Sequence, residues 1–238
     1  RGMRIVREAA ELDASFARCQ AEALAAFGVG EVYAERLIER ARHLEVQVLG
    51  DGRQVMSLGE RDCTLQRRFQ KLVEIAPSPG LNPALREQLI QAALTLARAS
   101  AYRGLGTFEF LVDEASADLP FVFIEANPRL QVEHTVTEEV TGVDLVEWMI
   151  RQAAGKLPDL EKRVPEPCGA SIQVRLYAED PGKGFLPCAG LLTHVSFPDD
   201  ARVDGWVETG TEVSAFYDPM LAKIIVRADT RDAALAEL

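Results

Sequence analysis

Hydrophobic positions mark out the elements of the chain before any chemistry enters. Leu12, Phe16, Cys19, Ala23 and Phe27 recur at helical spacing, so residues 8–27 read as an amphipathic helix that Gly28 and Gly30 stop. Residues 31–38 read as extended. Residues 43–49 alternate, with Leu44, Val46 and Val48 on one face and His43, Glu45 and Gln47 on the other, the pattern of a half-buried strand. Asp51-Gly52 signals a turn, and residues 54–58 the returning strand. Residues 77–80, Pro-Ser-Pro-Gly, form a loop. Asn82 before Pro83 starts a helix, a cap followed by a first-turn proline. Leu85, Leu89, Ala93 and Leu96 carry that helix to about residue 101, and Gly104 ends it. Residues 107–112 and 121–127 pair as a hairpin. Phe121-Val122-Phe123-Ile124 is a continuous apolar run, which reads as a buried strand rather than an edge. Residues 144–154 form a further helix.

Gly155 to Gly169 holds three prolines and several charges and is the best candidate for a domain boundary. Beyond it the chain reads as short strands at 170–177, 191–197, 203–207 and 221–227, with a helix beginning in 229–238. Mixed helices and hairpins indicate an α+β fold.

Length and charge narrow the function. The 238 residues suit one large domain or two small ones, and 47% hydrophobic residues suffice for a sizeable core. No apolar run approaches the roughly 18–20 residues of a membrane span. A net charge of −11 without clustered Lys and Arg argues against a nucleic-acid partner. The four cysteines are scattered, with no C-x-x-C pair, and read as reduced thiols of a cytoplasmic protein.

Three stretches carry candidate chemistry. In residues 125–134 the odd positions are Glu125, Asn127, Arg129, Gln131 and Glu133, and the even ones up to Val132 are apolar or proline. Extended geometry would put two carboxylates, amides and a guanidinium on one face. Glu109, on the partner strand, is placed to meet Glu125. Oxygen donors Glu109, Glu125 and Asn127 suit a hard cation such as Mg²⁺. Arg129 suits a planar anion, and Glu133 a general base. A solvated edge-strand face is the alternative reading of this alternation. Residues 60–71 mix both charges tightly and equally fit a solvated loop or helix face. Arg175, in an alternating strand, reads by itself as a surface residue.

These residues together resemble the biotin carboxylase family. The likeness runs through Arg42-His43-Leu44-Glu45-Val46-Gln47-Val48, Glu60-Arg61-Asp62-Cys63 to Lys71, Gly106-Thr107-Phe108-Glu109-Phe110 and Phe123-Ile124-Glu125-Ala126-Asn127 to His134. It continues through Arg175 with Ala178-Glu179-Asp180-Pro181, then Tyr217-Asp218-Pro219-Met220 and Lys223. The resemblance implies an ATP-dependent ligase that carboxylates biotin with bicarbonate by way of carboxyphosphate. It implies that Glu109, Glu125 and Asn127 bind Mg²⁺ or Mn²⁺, and that Glu109 and Glu125 thereby contact ATP. Lys71, Arg129, Gln131 and Val132 would hold bicarbonate, and Glu133 would deprotonate it. Arg175 would stabilise the biotin enolate. Met3, Glu35, Arg36, Leu37, Ile38, Leu111 and Ile124 would contact the nucleotide base, and His43 and Gln66 its ribose or phosphates. Biotin would be held covalently on a carrier domain outside this chain. A carboxyltransferase domain and a second copy, in a homodimer, are the other implied partners.

By the same resemblance, residues 1–38 are part of the ATP-grasp small lobe, 39–164 the large lobe, and 165–238 an incomplete, mostly β C-terminal domain. A chain cut in this way at both ends is expected to be nearly inactive alone. The stretch from Ala201 to Val213, with Lys223-Ile224-Ile225-Val226, looks most like the urea carboxylase and urea amidolyase branch. Another ATP-grasp ligase, such as a carbamoyl phosphate synthetase, shares the metal set, and a structural or dimerising fragment is the non-enzyme alternative. Phe69 stands where the family usually has a polar residue, which puts a ribose contact in doubt. Pro128 stands in place of a usual Thr and would rigidify or distort the strand.

Overall fold

A computed structural model describes residues 2–113, 116, 118–157, 159–160 and 165–238. The chain divides into two compact units, Arg1–Arg40 and Ala41–Leu238. The first contains a short 3-10 turn, Ala9–Glu11, and helix α1, Leu12–Phe27, closed by Gly28 at φ 74°. That helix starts later than residue 8, and none of its residues is buried. Residues 31–38, expected to be extended, form no strand.

The second unit is built on one antiparallel sheet of eight strands in the order β10-β12-β6-β3-β2-β1-β4-β5. These are β1 (Arg42–Asp51), β2 (Val55–Arg67), β3 (Gln70–Ala76), β4 (Arg103–Val112), β5 (Phe121–Asn127), β6 (Ala170–Tyr177), β10 (Arg202–Gly205) and β12 (Met220–Ala228). Two-residue strands β7 (Glu179–Asp180) and β8 (Leu186–Pro187) pair with each other, as do β9 (Gly190–Leu191) and β11 (Glu212–Val213). Helices α2 (Pro83–Ala99), α3 (His134–Thr141), α4 (Leu145–Ala153) and α5 (Arg231–Glu237) complete it.

Local rules account for several boundaries. Asn82 Oδ1 accepts from the Ala84 and Leu85 amides, and Pro83 opens α2. Leu85, Leu89, Ala93 and Ala97 of α2 pack on Leu44, Val46 and Val48 of β1 and on Phe108, Phe110 and Val112 of β4. Leu96, counted on the apolar stripe by spacing, lies on the exposed side, and Leu94 is buried instead. The helix ends at Ala99, and Gly104 is already inside β4.

Other expectations are corrected. β1 is buried on both faces, not half-buried. The returning strand is β2, which runs to Arg67, so residues 60–67 are strand rather than solvated loop or helix. Arg68 and Phe69 form the tight turn into β3, both at positive φ, as a two-residue hairpin turn requires. β5 is an edge strand despite its apolar run, with Phe123 and Ile124 exposed. Its ladder stops at Asn127, where Pro128 has no N–H to donate, and the alternation of residues 125–134 ends there. The residues after it turn into α3, which the alternation did not foretell. The strand expected at 191–197 is reduced to Gly190–Leu191.

The boundary expected at 38/39 falls two residues before the division between the units. The one expected at 164/165 touches Val164, outside the described residues. The sheet runs across that point, because β3 pairs with β6 from Val73↔Val174 to Ala76↔Ser171.

Candidate functional site

The polar face of the sheet, opposite α2, is where the chemistry collects. Register sets Glu45 beside Arg61 of β2 and beside Glu109 of β4, and Glu109 beside Glu125 of β5. Likewise Gln47 faces Thr107, and Thr107 faces Asn127. Side chains two residues apart on a strand share a face, so the alternation in β1, β4 and β5 lines these groups up. Helix α3 packs against β2, β3, β6 and β12, and its Thr137 accepts from Arg61 on this face. The row is buried at Glu45, Gln47, Arg61, Thr107 and Glu109, and it opens to solvent at Glu125 on the edge strand.

A buried cation anchors it. Arg61, 0% exposed, donates from Nε to Glu45 Oε1 at 2.6 Å and from Nη1 to Gln47 Oε1 at 2.6 Å. It also donates to Thr137 Oγ1 at 2.9 Å and Thr107 Oγ1 at 3.2 Å, so these four bonds use four of the five guanidinium N–H groups. Lys71, at the start of β3, is the second cation. Its Nζ lies 2.5 Å from Glu45 Oε2, 2.5 Å from Glu133 Oε1 and 3.2 Å from Glu109 Oε1. Burial would lower the Lys71 pKa, but its carboxylate neighbours, Glu45 foremost, raise it above the usual lysine value. Burial would raise Glu45, but Arg61 and then Lys71 outweigh it and hold that carboxyl below its usual value.

Glu109 is the branch point. His43 Nδ1 accepts from the Gln66 amide at 2.6 Å, so His43 Nε2 carries the hydrogen and donates to Glu109 Oε2 at 2.6 Å. Asn127 Nδ2 and Gln131 Nε2 each donate to Glu109 Oε1 at 2.9 Å. Burial opposes ionisation of Glu109, but the His43 bond and the Lys71 charge outweigh it and bring its pKa down to about 2. Asn127 Nδ2 also reaches Glu125 Oε1 at 3.1 Å. Gln131 Oε1 is buried and has no partner, alone in this among the described residues.

A second centre adjoins Glu133. Arg175 of β6 lies 3.0 Å from Glu133 Oε2 and 2.6 Å from Glu74 Oε1. Gln173 Nε2 donates to Glu74 Oε2 at 2.8 Å. Burial raises the Glu74 pKa despite Arg175 beside it. The lone charge of Glu74 in Leu72-Val73-Glu74-Ile75-Ala76 was the signal for it in the sequence, and none singled out Gln173, Thr135 or Thr137.

The remaining predicted residues are less closely gathered. Arg129 is exposed and, among the described residues, reaches only its neighbours, Leu130 O at 3.3 Å and Asn127 Oδ1 at 3.5 Å. The carbonyl of Val132 accepts from Lys223 Nζ at 3.0 Å. Leu111 lies on β4 beside His43 in register, and Ile124 is on the edge strand. Met3, Glu35, Arg36, Leu37 and Ile38 belong to the first unit and hold no regular element.

Among the described residues, two groups offer ligand atoms within 4.8 Å of one another: His43, Glu45 and Glu109, and Glu45, Cys63 and Glu133. In both, Glu45 is already neutralised by Arg61 and Lys71, and burial keeps the Cys63 thiol well above its normal pKa and protonated. Glu109, Glu125 and Asn127 are the better oxygen set for a hard cation, because Glu125 has no cation partner among the described residues and opens to solvent, although Asn127 must turn its amide, whose Nδ2 faces both carboxylates, to offer its oxygen.

Residues 1–161 match the family model of the carbamoyl-phosphate synthase L chain, ATP binding domain, and residues 173–238 match the biotin carboxylase C-terminal domain. The chain is 49% identical over 238 residues to a urea amidolyase of Lachancea kluyveri, covering 100% of this chain and 13% of that protein. It superposes with TM-score 0.91 and 43% identity on a biotin carboxylase–βγ-ATP complex from Campylobacter jejuni, covering 100% of this chain and 53% of that one. A third likeness, with TM-score 0.90 and 43% identity, is to the biotin carboxylase domain dimer of 2-oxoglutarate carboxylase from Hydrogenobacter thermophilus, in complex with MgADP, ADP and bicarbonate, over 100% of this chain and 52% of that one. The chain thus spans between about one eighth and about half of these relatives.

Proposed function

This chain belongs to the biotin carboxylase family of ATP-grasp enzymes, and from that premise we propose that it serves a biotin-dependent carboxylase, using ATP and bicarbonate to carboxylate biotin on a separate carrier domain. The observation that carries the reading is the setting of Glu133. One of its oxygens lies 2.5 Å from Lys71 Nζ and the other 3.0 Å from Arg175. A carboxylate flanked by two cations is placed to take a proton from an anion that the same cations attract.

In this reading Lys71, Arg129, Gln131 and the Val132 backbone N–H hold bicarbonate. Glu133 accepts the bicarbonate proton as an oxygen of the anion attacks the γ-phosphorus of ATP. The bond from phosphorus to the β,γ-bridging oxygen breaks, ADP leaves, and carboxyphosphate forms. Glu109, Glu125 and Asn127 fit Mg²⁺ or Mn²⁺, which when bound would screen the phosphate oxygens. The C–O bond of carboxyphosphate then breaks to give CO2 and phosphate, the phosphate takes the N–H proton of the biotin ureido nitrogen, and that nitrogen bonds to the CO2 carbon. Arg175 holds a fixed positive charge beside Glu133, suited to a ureido oxygen. The nucleotide roles of Met3, Glu35, Arg36, Leu37, Ile38, His43, Gln66, Leu111 and Ile124 rest on the family resemblance.

The division at 38/39 and 164/165 is part of the same proposal, and the limits of the two family matches, 161 and 173, bracket the second boundary. The urea amidolyase likeness supports urea as the final acceptor, delivered through a carboxyltransferase domain. The dimeric relative supports a homodimer. Four free cysteines support a cytoplasmic setting. The match of residues 173–238 favours this reading over a carbamoyl phosphate synthetase.

Bicarbonate-dependent ATP cleavage in the full-length protein, with and without free biotin, tests the proposal. Biotin stimulates turnover, Glu133→Gln lowers it by about 10²–10⁴-fold, and Arg175→Ala abolishes the stimulation. ATP cleavage indifferent to biotin would move the assignment to another ATP-grasp ligase.

A further inference from the structure

Lys223 of β12 has no part in the roles above, yet it is 7% exposed and sits beside Arg175 in register. Its Nζ donates to Val132 O at 3.0 Å and to Thr135 Oγ1 at 3.4 Å, and Asp204 of β10 lies 3.3 Å away. From Thr135 a chain of bonds leads back to the same turn. Thr135 Oγ1 donates to Gln173 Oε1. Gln173 Nε2 donates to Glu74 Oε2 at 2.8 Å, Arg175 Nε to Glu74 Oε1 at 2.6 Å, and Arg175 Nη2 to Glu133 Oε2 at 3.0 Å. Glu133 follows Val132, so the ring closes on one peptide. Thr135, Gln173 and Glu74 are each 0% exposed, and water cannot replace a missing member without rearrangement.

We propose that Lys223 is a positioning residue that fixes the Val132–Glu133 peptide and, through the Thr135–Gln173–Glu74–Arg175 ring, the placement of Glu133 against Arg175. A buried ammonium is costly unless paired, and this one directs its donors at a backbone carbonyl of the turn. The carbonyl it holds belongs to the peptide whose N–H is that of Glu133, so the direction of the Glu133 side chain follows from it. This inference rests on the proposed role of Glu133 only for its activity readout.

The test compares Lys223→Met, Thr135→Val and Thr135→Ser in the full-length protein, by crystal structure and by bicarbonate-dependent ATP cleavage. Lys223→Met and Thr135→Val lower kcat by about 10–100-fold, the cost of a misplacement near 1 Å, and leave the KM for ATP unchanged. Thr135→Ser, which keeps the hydroxyl, restores the rate. The Lys223→Met and Thr135→Val structures show Glu133 parted from Arg175, and the Thr135→Ser structure keeps the contact. If Lys223→Met does not fold, the Thr135 pair decides alone. A Glu133–Arg175 contact retained at its wild-type distance, with kcat unchanged, overturns the proposal. Should wild type cleave ATP without needing bicarbonate, the base role of Glu133 fails, and the Glu133–Arg175 separation in the variant structures still decides whether Lys223 positions it.

Discussion

Lys71 Nζ lies 2.5 Å from Glu133 Oε1, which ties the β2–β3 hairpin to the residue that opens α3. The same nitrogen serves Glu45 and Glu109. Lys71→Met would leave three carboxylates facing one another without their shared cation. Breaking a buried pair from one side costs about 3–5 kcal/mol. Urea denaturation of the variant is expected to show a loss of that order, with bicarbonate-dependent turnover abolished.

Glu125 behaves differently, because it is exposed and its only side-chain hydrogen bond among the described residues is from Asn127. Glu125→Ala is expected to change stability by less than about 0.5 kcal/mol. Removing one of two carboxylate ligands should raise the Mg²⁺ concentration needed for half-maximal ATP cleavage by tenfold or more, about 1.4 kcal/mol of metal affinity. A magnesium titration of activity reads this directly.

Glu109 gives the second unit an acid-sensitive contribution. Its pKa is about 2 in the fold against an ordinary 4.5. A depressed carboxylate pKa stabilises the folded state fully above the ordinary value, and that contribution is lost as pH falls through the folded value. The stability difference between wild type and Glu109→Gln is therefore constant above pH 4.5 and shrinks as pH falls towards 2. Denaturant midpoints taken across that window check it. Glu74, raised by burial, contributes with the opposite sign and leaves this difference intact.

Leu89 lies at the centre of the α2 interface, fully buried against β1 and β4. Leu89→Ala would remove its transfer energy and leave a cavity, about 2–5 kcal/mol. Because α2 covers the face opposite the carboxylates, the KM for ATP should be unchanged at temperatures where the variant stays folded. Thermal denaturation and steady-state kinetics on one preparation separate the two effects.

Local rules in the sequence were enough for the elements that depend on nearby residues. Asn82-Pro83 placed the start of α2, Gly28 closed α1, and alternation set Glu45 on the side of His43 and Gln47 and Glu109 opposite Glu125. Motif likeness identified the family, because its residues recur in order along nearly the whole chain. Burial was not legible in the same way. His43, Glu45 and Gln47 read as the open face of a half-buried strand, yet Glu45 and Gln47 are fully buried, and Arg61 and Lys71 supply the charge that makes this tolerable. Phe121-Val122-Phe123-Ile124 read as a central strand and lies at the edge, because strand order is decided by pairings far apart in the chain. The bonds of the ring through Lys223, Thr135, Gln173, Glu74 and Arg175 join residues as far as 101 positions apart in the chain. Composition and periodicity fix which side chains share a strand face, and only the folded sheet, with β12, β6 and β3 side by side, decides which of them meet.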